Sequence, residues 1–310
     1  MKFHTLLVLA VVAVPMASAS AGPLPTIGIE PRPTRILEVQ VLLDRANFSP
    51  GEIDAAGGGN TRNALAAYQD SRGLAVTGSI DTATWAALRG DEAPILIRYT
   101  IVDADVAGPF VPVPTEMLEK SRLTALGFTS VIEALGERFH TSPALLRELN
   151  PGEDFDHSGT DIVVPDVTSA PFAVVAKVLV DRSDASVSLL DESGKVMARF
   201  PASTGSEHDP LPNGDWVIQG IARNPSFHYN PELFWDADAT QEKATIPPGP
   251  NGPVGVVWMD LSKPHYGIHG TPEPSMIGKT ESHGCIRMTN WSALIVADAV
   301  KPGTLAVLQE

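Results

Sequence analysis

The sequence predicts a multidomain protein with a small all-α N-terminal domain, a small α+β middle module and a mainly-β C-terminal domain, built as a sandwich or an open barrel. Three observations support this fold class. The 310 residues exceed what one small domain needs. Apolar residues recur at helical spacing near the N-terminus. From Phe172 onward, short apolar or alternating runs are separated by Gly and Pro turns, which is typical of β structure.

The first residues have the pattern of a targeting signal. Lys2 precedes an apolar run from Leu6 to Val14, and small residues at 17–21 offer cleavage sites. A buried N-terminal helix is the alternative, but the run has no polar face. We therefore expect residues 1–21 to be a signal peptide and the mature protein to be in the periplasm or the cell wall. We expect no membrane anchor, because no Cys follows the run and no later stretch reaches about 18 apolar residues.

Residues 34–90 predict three short helices joined by glycine turns. Asn60 or Thr61 is the expected cap of the second helix, and Asp81 or Thr82 that of the third. The segment resembles the peptidoglycan-binding domain type 1 family. The resemblance rests on Gln40-x-x-Leu43, the Asp54–Thr61 turn, Tyr68-Gln69, Gly73-Leu74, Thr77-Gly78 and Thr84-Trp85-x-x-Leu88. It implies that this domain binds peptidoglycan, through glycan strands or stem peptides. A small helical domain of another kind is the alternative.

Residues 96–167 predict a strand, two helices and a second strand. Ile97–Ile101 alternates, Ser142-Pro143 is typical of a helix start, and 162–165 is a short apolar run. The phrase from Arg138 to Pro165 resembles a degenerate LysM-type module, which would contact glycan. A plain spacer is the alternative.

Residues 172–310 predict the mainly-β domain. Expected strands are 173–180, 185–190, 196–202, 215–222, 255–259 and 305–308, with one clear helix at 291–300. The aromatic stretch 227–235 lies between two of these strands and predicts either a lid or a packed surface loop.

Cys285 is the single cysteine of the chain. In an exported protein it has no intrachain disulfide partner, so it is either an inert buried thiol or a reactive one. Two histidines lie close in sequence, His269 and His283, and Gly284 precedes the thiol directly. A histidine takes the proton of an attacking thiol, and backbone N–H groups near Gly284 and Cys285 could stabilise an oxyanion. The pattern therefore predicts acyl transfer.

His269 is the expected general base. It comes from a separate strand, and the Gly270 carbonyl could accept its Nδ1–H and so fix the tautomer. For His283, shaping the site and taking part in proton transfer both remain open, and an extended chain would place it on the same side as Cys285. The expected substrate contacts are Arg287 as a carboxylate clamp, Ser282 as a turn hydroxyl, Tyr266 and Trp235.

The same residues resemble the catalytic motif of the L,D-transpeptidase family, the YkuD-like domain. The first element is His269-Gly270-Thr271 and the second is Ser282-His283-Gly284-Cys285, so that Cys285 lies sixteen positions after His269. The resemblance extends from about Ala173 to Leu308. Arg287 stands where one version of the motif has Asn. The resemblance implies attack of Cys285 on the L-centre carbonyl of diaminopimelate in a tetrapeptide stem, with release of D-Ala.

The acceptor implied by the resemblance is an amine, from a second diaminopimelate, a lipoprotein Lys or a free D-amino acid. Water as acceptor would make the protein a carboxypeptidase or a cross-link hydrolase. The resemblance also implies β-lactams of the carbapenem type as covalent inhibitors, and no cofactor.

Other classes of function are less well supported. A net charge of −15 without Lys or Arg runs argues against nucleic acid as a partner. Zinc ligands could come from His265, His269, His283 and Cys285. However, His265 and His269 would lie roughly 13 Å apart on one strand, and no His-Glu-x-x-His is present. A non-catalytic wall-binding protein is the remaining alternative, although the intact motif argues against it.

Overall fold

The computed structural model describes residues 33–169, 171–172, 175–238 and 240–310. The expected signal peptide lies outside these residues. No helix in the described part of the chain has both the length and the apolar character that crossing a membrane requires. Residues 33–310 form one compact unit.

Three helices open the described chain: α1 (Arg35–Arg45), α2 (Gly59–Ser71) and α3 (Thr82–Leu88). Asp81 caps α3 by accepting from Thr84 N, as predicted. The predicted cap of α2 is wrong. Extended Gly58 occupies that position, without a side-chain cap bond, and the Thr61 hydroxyl accepts from buried Gln40 instead, at 3.4 Å.

The middle module is a two-stranded antiparallel sheet with helices. It contains β1 (Leu96–Thr100), α4 (Asp103–Val106), α5 (Met117–Lys120), α6 (Val131–Arg138), α7 (Pro143–Leu149) and β2 (Asp161–Pro165). The predicted strand–helix–helix–strand order is present, and Ser142 caps α7. The sequence did not predict α4 and α5, which lie in the long connection between β1 and α6.

The C-terminal domain is built on one curled eight-stranded sheet, ordered β11-β10-β9-β6-β12-β3-β4-β5. The strands are β3 (Lys177–Asp181), β4 (Ser186–Leu190), β5 (Val196–Pro201), β6 (Gly214–Arg223), β9 (Val257–Leu261), β10 (Gly267–His269), β11 (Ile286–Arg287) and β12 (Leu305–Gln309). A separate hairpin is formed by β7 (Phe227–Tyr229) and β8 (Ala244–Ile246), and α8 (Asn290–Ala299) is the predicted helix.

Strand β6 explains the curl of the sheet. Its first half pairs with β12 and its second half with β9, and the register shifts between Ile218 and Gly220. Both halves surround one apolar core with α8. Of the two predicted architectures, a curled single sheet is closer to the open barrel than to the sandwich. The strand predicted at 255–259 begins two residues later, because Gly255 has a positive φ of 60°.

The predicted modules share their cores. The apolar core of the N-terminal helices includes Leu145 and Leu149 of α7, and Val196 of β5 packs against it. Backbone hydrogen bonds also join the N-terminal domain to β5, between Ser49 N and the Arg199 carbonyl and between Arg199 N and the Asn47 carbonyl. The N-terminal domain is therefore packed directly on the β domain.

Candidate active site

Two short parallel strands bring the motif residues together. In β10 and β11, His269 pairs with Arg287, and the Met288 amide donates to the His269 carbonyl at 2.9 Å. The motif halves are therefore fixed by backbone pairing, with Cys285 immediately before β11.

His269 is buried, with 5% of its surface exposed. Its Nδ1 lies 2.7 Å from the Gly270 carbonyl oxygen, which is the contact expected from the sequence. Its ring stacks on Trp258, with the centroids 5.3 Å apart. Burial lowers the pKa of His269 to about 4, and the charge of Arg287 acts in the same direction. The imidazole is therefore neutral near pH 7, and with Nδ1–H held by Gly270 its Nε2 is the free acceptor.

Cys285 is half-buried, and its Sγ donates to the His265 carbonyl oxygen at 3.6 Å. Burial raises the pKa of the Cys285 thiol, and nearby Asp209 acts in the same direction. A backbone hydrogen bond from Gly267 and the charge of Arg287 oppose this increase in pKa. The resting thiol is therefore protonated, and the histidine on the paired strand is neutral.

Gly284 turns the chain sharply before the thiol, with a φ of 94°. A Cβ here would lie 2.8 Å from Cε1 of Tyr266, so the ring packs directly against the glycine. This bend excludes the extended conformation that would place His283 and Cys285 on the same side. Within the described residues, the N–H groups of Gly284 and Cys285 have no hydrogen-bond acceptor.

The side chain of His283 contacts the β7–β8 hairpin. Its Nε2 is 2.9 Å from Oδ1 of Asp236, and its ring packs edge-on to Phe234, with the centroids 5.3 Å apart. Trp235, 59% exposed, is tilted against the same ring and stacks on His208 at 4.2 Å. The hairpin predicted as a lid or a packed loop thus contacts the motif directly.

Arg287 and Ser282 hold the loop around the thiol. The Arg287 guanidinium donates to the Glu281 carbonyl, and its backbone pairs with Ser203. The Ser282 hydroxyl donates to the Cys285 carbonyl. The hydroxyl of Ser282 therefore stabilises the turn, while substrate contact by Arg287, Tyr266 and Trp235 stays a prediction.

Three residues of the site were missed from the sequence. Asp209 is half-buried with an unpartnered Oδ2, and its charge raises the pKa of both Cys285 and Tyr266. Asp236 and Asn290 are the other two. None belongs to the local motif, and the only signal near Asp209 was the turn-rich composition of residues 203–212.

Throughout the ranges that the structure describes, no three His, Cys, Asp or Glu side chains come together as a metal-binding group.

Comparison with known proteins identifies the family. The L,D-transpeptidase catalytic domain family (YkuD) matches residues 176–308. A protein of Bacillus licheniformis that carries the name L,D-transpeptidase YkuD is 31% identical over 175 residues, which span 56% of this chain and 90% of the relative. The chain belongs to the L,D-transpeptidase family.

The chain has three further similarities. The peptidoglycan binding domain family matches residues 32–88 of this L,D-transpeptidase. The Escherichia coli K12 protein named as L,D-transpeptidase YbiS is 23% identical, over 57% of this chain and 60% of its own length. Among solved structures, an L,D-transpeptidase from Mycobacterium smegmatis aligns at a TM-score of 0.36 and 17% identity, covering 51% of this chain and 76% of its own.

Proposed function

We propose that this chain is an exported, cysteine-dependent L,D-transpeptidase that acts on tetrapeptide stems of peptidoglycan. The observation that carries the proposal is the neutral, buried His269, whose Nδ1–H is held by Gly270 on the strand that pairs with the Cys285 segment. This arrangement leaves Nε2 of His269 unprotonated on the strand that pairs with the segment carrying Cys285, the only thiol of the chain.

The first half-reaction makes a thioester. As Sγ of Cys285 attacks the L-centre carbonyl carbon of diaminopimelate, its proton passes to Nε2 of His269. The C–N bond to D-Ala then breaks, and the same proton goes to the leaving amine. Because the thiol and the imidazole are both neutral at rest, proton transfer accompanies the attack rather than preceding it.

The second half-reaction returns the enzyme to its starting state. An acceptor amine attacks the thioester carbonyl and gives a proton to His269, which passes it to the departing Cys285 sulfur. The amine comes from a second diaminopimelate, a lipoprotein Lys or a free D-amino acid. With water in its place, the product is a shortened stem.

The charges around the thiol suit a zwitterionic substrate. Arg287 and Asp209 have opposite signs, and both charges act on the pKa of Cys285. Diaminopimelate carries a carboxylate and an ammonium group on its side chain. The carboxylate can pair with Arg287 and the ammonium group with Asp209. The free N–H groups of Gly284 and Cys285 are the donors for the oxyanion, each worth about 3 kcal/mol in known cases.

The test uses the purified mature chain and a disaccharide-tetrapeptide. Mass analysis should detect free D-Ala together with a cross-linked dimer, and Cys285→Ala should form neither. Release of D-Ala without a dimer would make the protein a carboxypeptidase. Release by Cys285→Ala would remove the cysteine from the mechanism.

Export is part of the proposal, on the evidence of residues 1–21. Protein recovered from the native host's envelope should begin near Ser20 or Gly22. An intact Met1 in that fraction would contradict export by a cleaved signal.

A further inference from the structure

A side chain of the middle module reaches the catalytic domain behind the active site. Glu137, near the end of α6, accepts a hydrogen bond at its Oε1 from Nδ2 of Asn290, at 3.2 Å. Asn290 is the first residue of α8 and is only 2% exposed. Glu137 is thus bonded to a buried amide in another module, 153 residues further along the chain.

Asn290 packs against the backbone that follows His269. A Cβ at Gly270 would lie 2.1 Å from Asn290 Oδ1, and one at Gly255 would lie 2.0 Å from the same atom. That oxygen accepts from the Val256 amide at 3.2 Å, and Nδ2 also donates to the Pro250 carbonyl at 3.2 Å. Because neither glycine has a side chain, the Asn290 amide fits directly against their backbone. The position of the amide and that of Gly270 therefore depend on each other.

Gly270 in turn accepts the Nδ1–H of His269. We propose that Glu137 is a positioning residue for His269, acting through Asn290 and Gly270. The inference rests on the proposed function, in which His269 is the base. It assigns the middle module a part in catalysis that is separate from any contact with glycan.

The surroundings of Glu137 keep it uncharged. Glu52, Glu133 and Glu273 line the same cavity of about 300 Å³. The neighbouring Arg138 forms an ion pair with Asp105 at 2.6 Å, so its positive charge does not offset the negative charges of these glutamates. Burial raises the pKa of Glu137 to about 8, with contributions from Glu133 and Glu52. At neutral pH the acid therefore holds Asn290 without placing a negative charge behind His269.

Glu133 offers a matched control one turn earlier on α6. It accepts from Asn251 Nδ2 at 2.7 Å, a contact that also joins the middle module to the catalytic domain. Unlike Glu137, it does not contact Asn290. Glu133→Ala therefore weakens the same interface without touching the path to His269.

The experiment measures the rate of Cys285 acylation by a carbapenem from pH 6 to 9.5, using the full mature chain. Glu137→Ala should be about tenfold slower than wild type at pH 7, as expected for a displaced catalytic group. Glu137→Gln keeps the acceptor oxygen, so it should stay within about twofold at pH 7. It should also lack a fall in rate that wild type shows above about pH 8. Glu133→Ala should stay within about twofold of wild type at pH 7, and its alkaline fall should move to lower pH, because the charge of Glu133 no longer raises the pKa of Glu137.

Two outcomes would overturn the inference. Equal rates for Glu137→Ala and Glu133→Ala would reduce Glu137 to a docking contact. A wild-type alkaline fall in rate that persists in Glu137→Gln would do the same, even if Glu137→Ala failed to fold. If wild type itself is not acylated at Cys285, the proposed function fails instead, so the two failures are distinguishable.

Discussion

His269 combines two properties that the proposed general base needs. Its Nδ1–H is fixed by Gly270, and burial keeps its pKa at about 4, well below neutral. A neutral imidazole accepts a proton only when the sulfur attacks, so the protonated thiol of the resting site is not a contradiction. As a consequence, solvent protonates His269 only at acidic pH, near its pKa of about 4.

His269→Gln should therefore lose acylation by about a hundredfold or more near pH 7, the usual contribution of a general base. Part of the rate should return at alkaline pH, because solvent then deprotonates the thiol. Burial raises the pKa of Cys285, so this recovery should begin above the ordinary thiol range of about 8.5. Stopped-flow acylation across this range is the measurement.

His283→Ala is the comparison, because this histidine is bonded to Asp236 and packed on Phe234. Its loss should reduce acylation with little recovery in alkali. If His283→Ala is the variant rescued at high pH and His269→Gln is near wild type, the two roles are reversed.

Glu137 also affects stability. The folded pKa of about 8 is raised above the ordinary 4.5, so the native state binds the extra proton. Its stabilising effect is complete below pH 4.5 and is lost as the pH rises through about 8. From this group alone, the free energy of unfolding falls by at most about 1.4 kcal/mol per pH unit.

Glu137→Gln should remove this slope. Compared with wild type, the variant should gain stability at pH 9 relative to pH 5, measured by urea unfolding at each pH. Parallel curves for the two proteins would show that Glu137 titrates alike in the folded and unfolded states.

At the scale of elements, the β7–β8 hairpin joins the middle module to the active site. Leu126 of the middle module, Tyr229 and Ile246 form a small buried core, and Phe234 packs against it. A backbone bond from Leu126 N to the Pro248 carbonyl, at 2.9 Å, adds to this contact. The hairpin is therefore supported from behind and touches His283 in front.

Asp236→Asn should weaken the hold of the hairpin on His283, because a carboxylate is replaced by a neutral amide. We expect the KM for a soluble muropeptide to rise about threefold while kcat changes little, since the cost is roughly that of weakening one partly exposed hydrogen bond. Steady-state release of D-Ala measures both constants.

Asp238→Asn is the control two residues along. Among the described residues, the Asp238 carboxylate accepts hydrogen bonds from the amide and the hydroxyl of nearby Thr240, at 2.8 and 2.7 Å. Equal effects of the two substitutions would mean that the hairpin responds to charge alone and not to the contact with His283.

The sequence predicted the elements whose signals are local. Alternation and helical spacing placed β1, β4, β5, β12 and α8 within a residue or two. Helices α4 and α5 were missed because four residues are too few for a period to appear. The cap of α2 was misplaced because glycine provides no side-chain signal.

The same contrast holds for the site. His269, Gly270 and Cys285 belong to one short motif, and their backbone pairing could be expected from two neighbouring strands. Asp236 contacts His283 across 47 residues, and Glu137 contacts Asn290 across 153. Such pairs arise from the packing of separate modules, which no local pattern encodes.

At the scale of the molecule, the N-terminal domain is part of the fold of its neighbours. From the sequence, we expect deletion of Ile36–Leu88 to weaken sacculus binding while turnover of soluble muropeptides persists. The structure indicates that this deletion also reduces the stability of the remaining chain, because Leu145 and Leu149 of α7 belong to the core of the deleted domain. Deletion of Ile36–Leu88 should therefore also lower the melting temperature by about 5 °C or more.

Asn60→Ala is the control for this deletion. It removes only the hydrogen bond from Asn60 Nδ2 to the Ile277 carbonyl, at 2.9 Å, and should change the melting temperature little. Differential scanning calorimetry distinguishes the two. A deleted chain that melts like the full chain would show that the shared core is not needed.

The contact between Asn60 and Ile277 also limits the enzyme's reach. A catalytic domain on a flexible tether samples a volume set by the length of the linker. Here the N-terminal domain rests on the loop between the two halves of the motif, so a glycan strand bound there, as we propose, would be held at a fixed distance from the thiol. In an intact sacculus, we therefore expect cross-links to form at stem peptides that lie at this distance from the bound strand. Stem peptides at other distances should react less, even where they are more abundant.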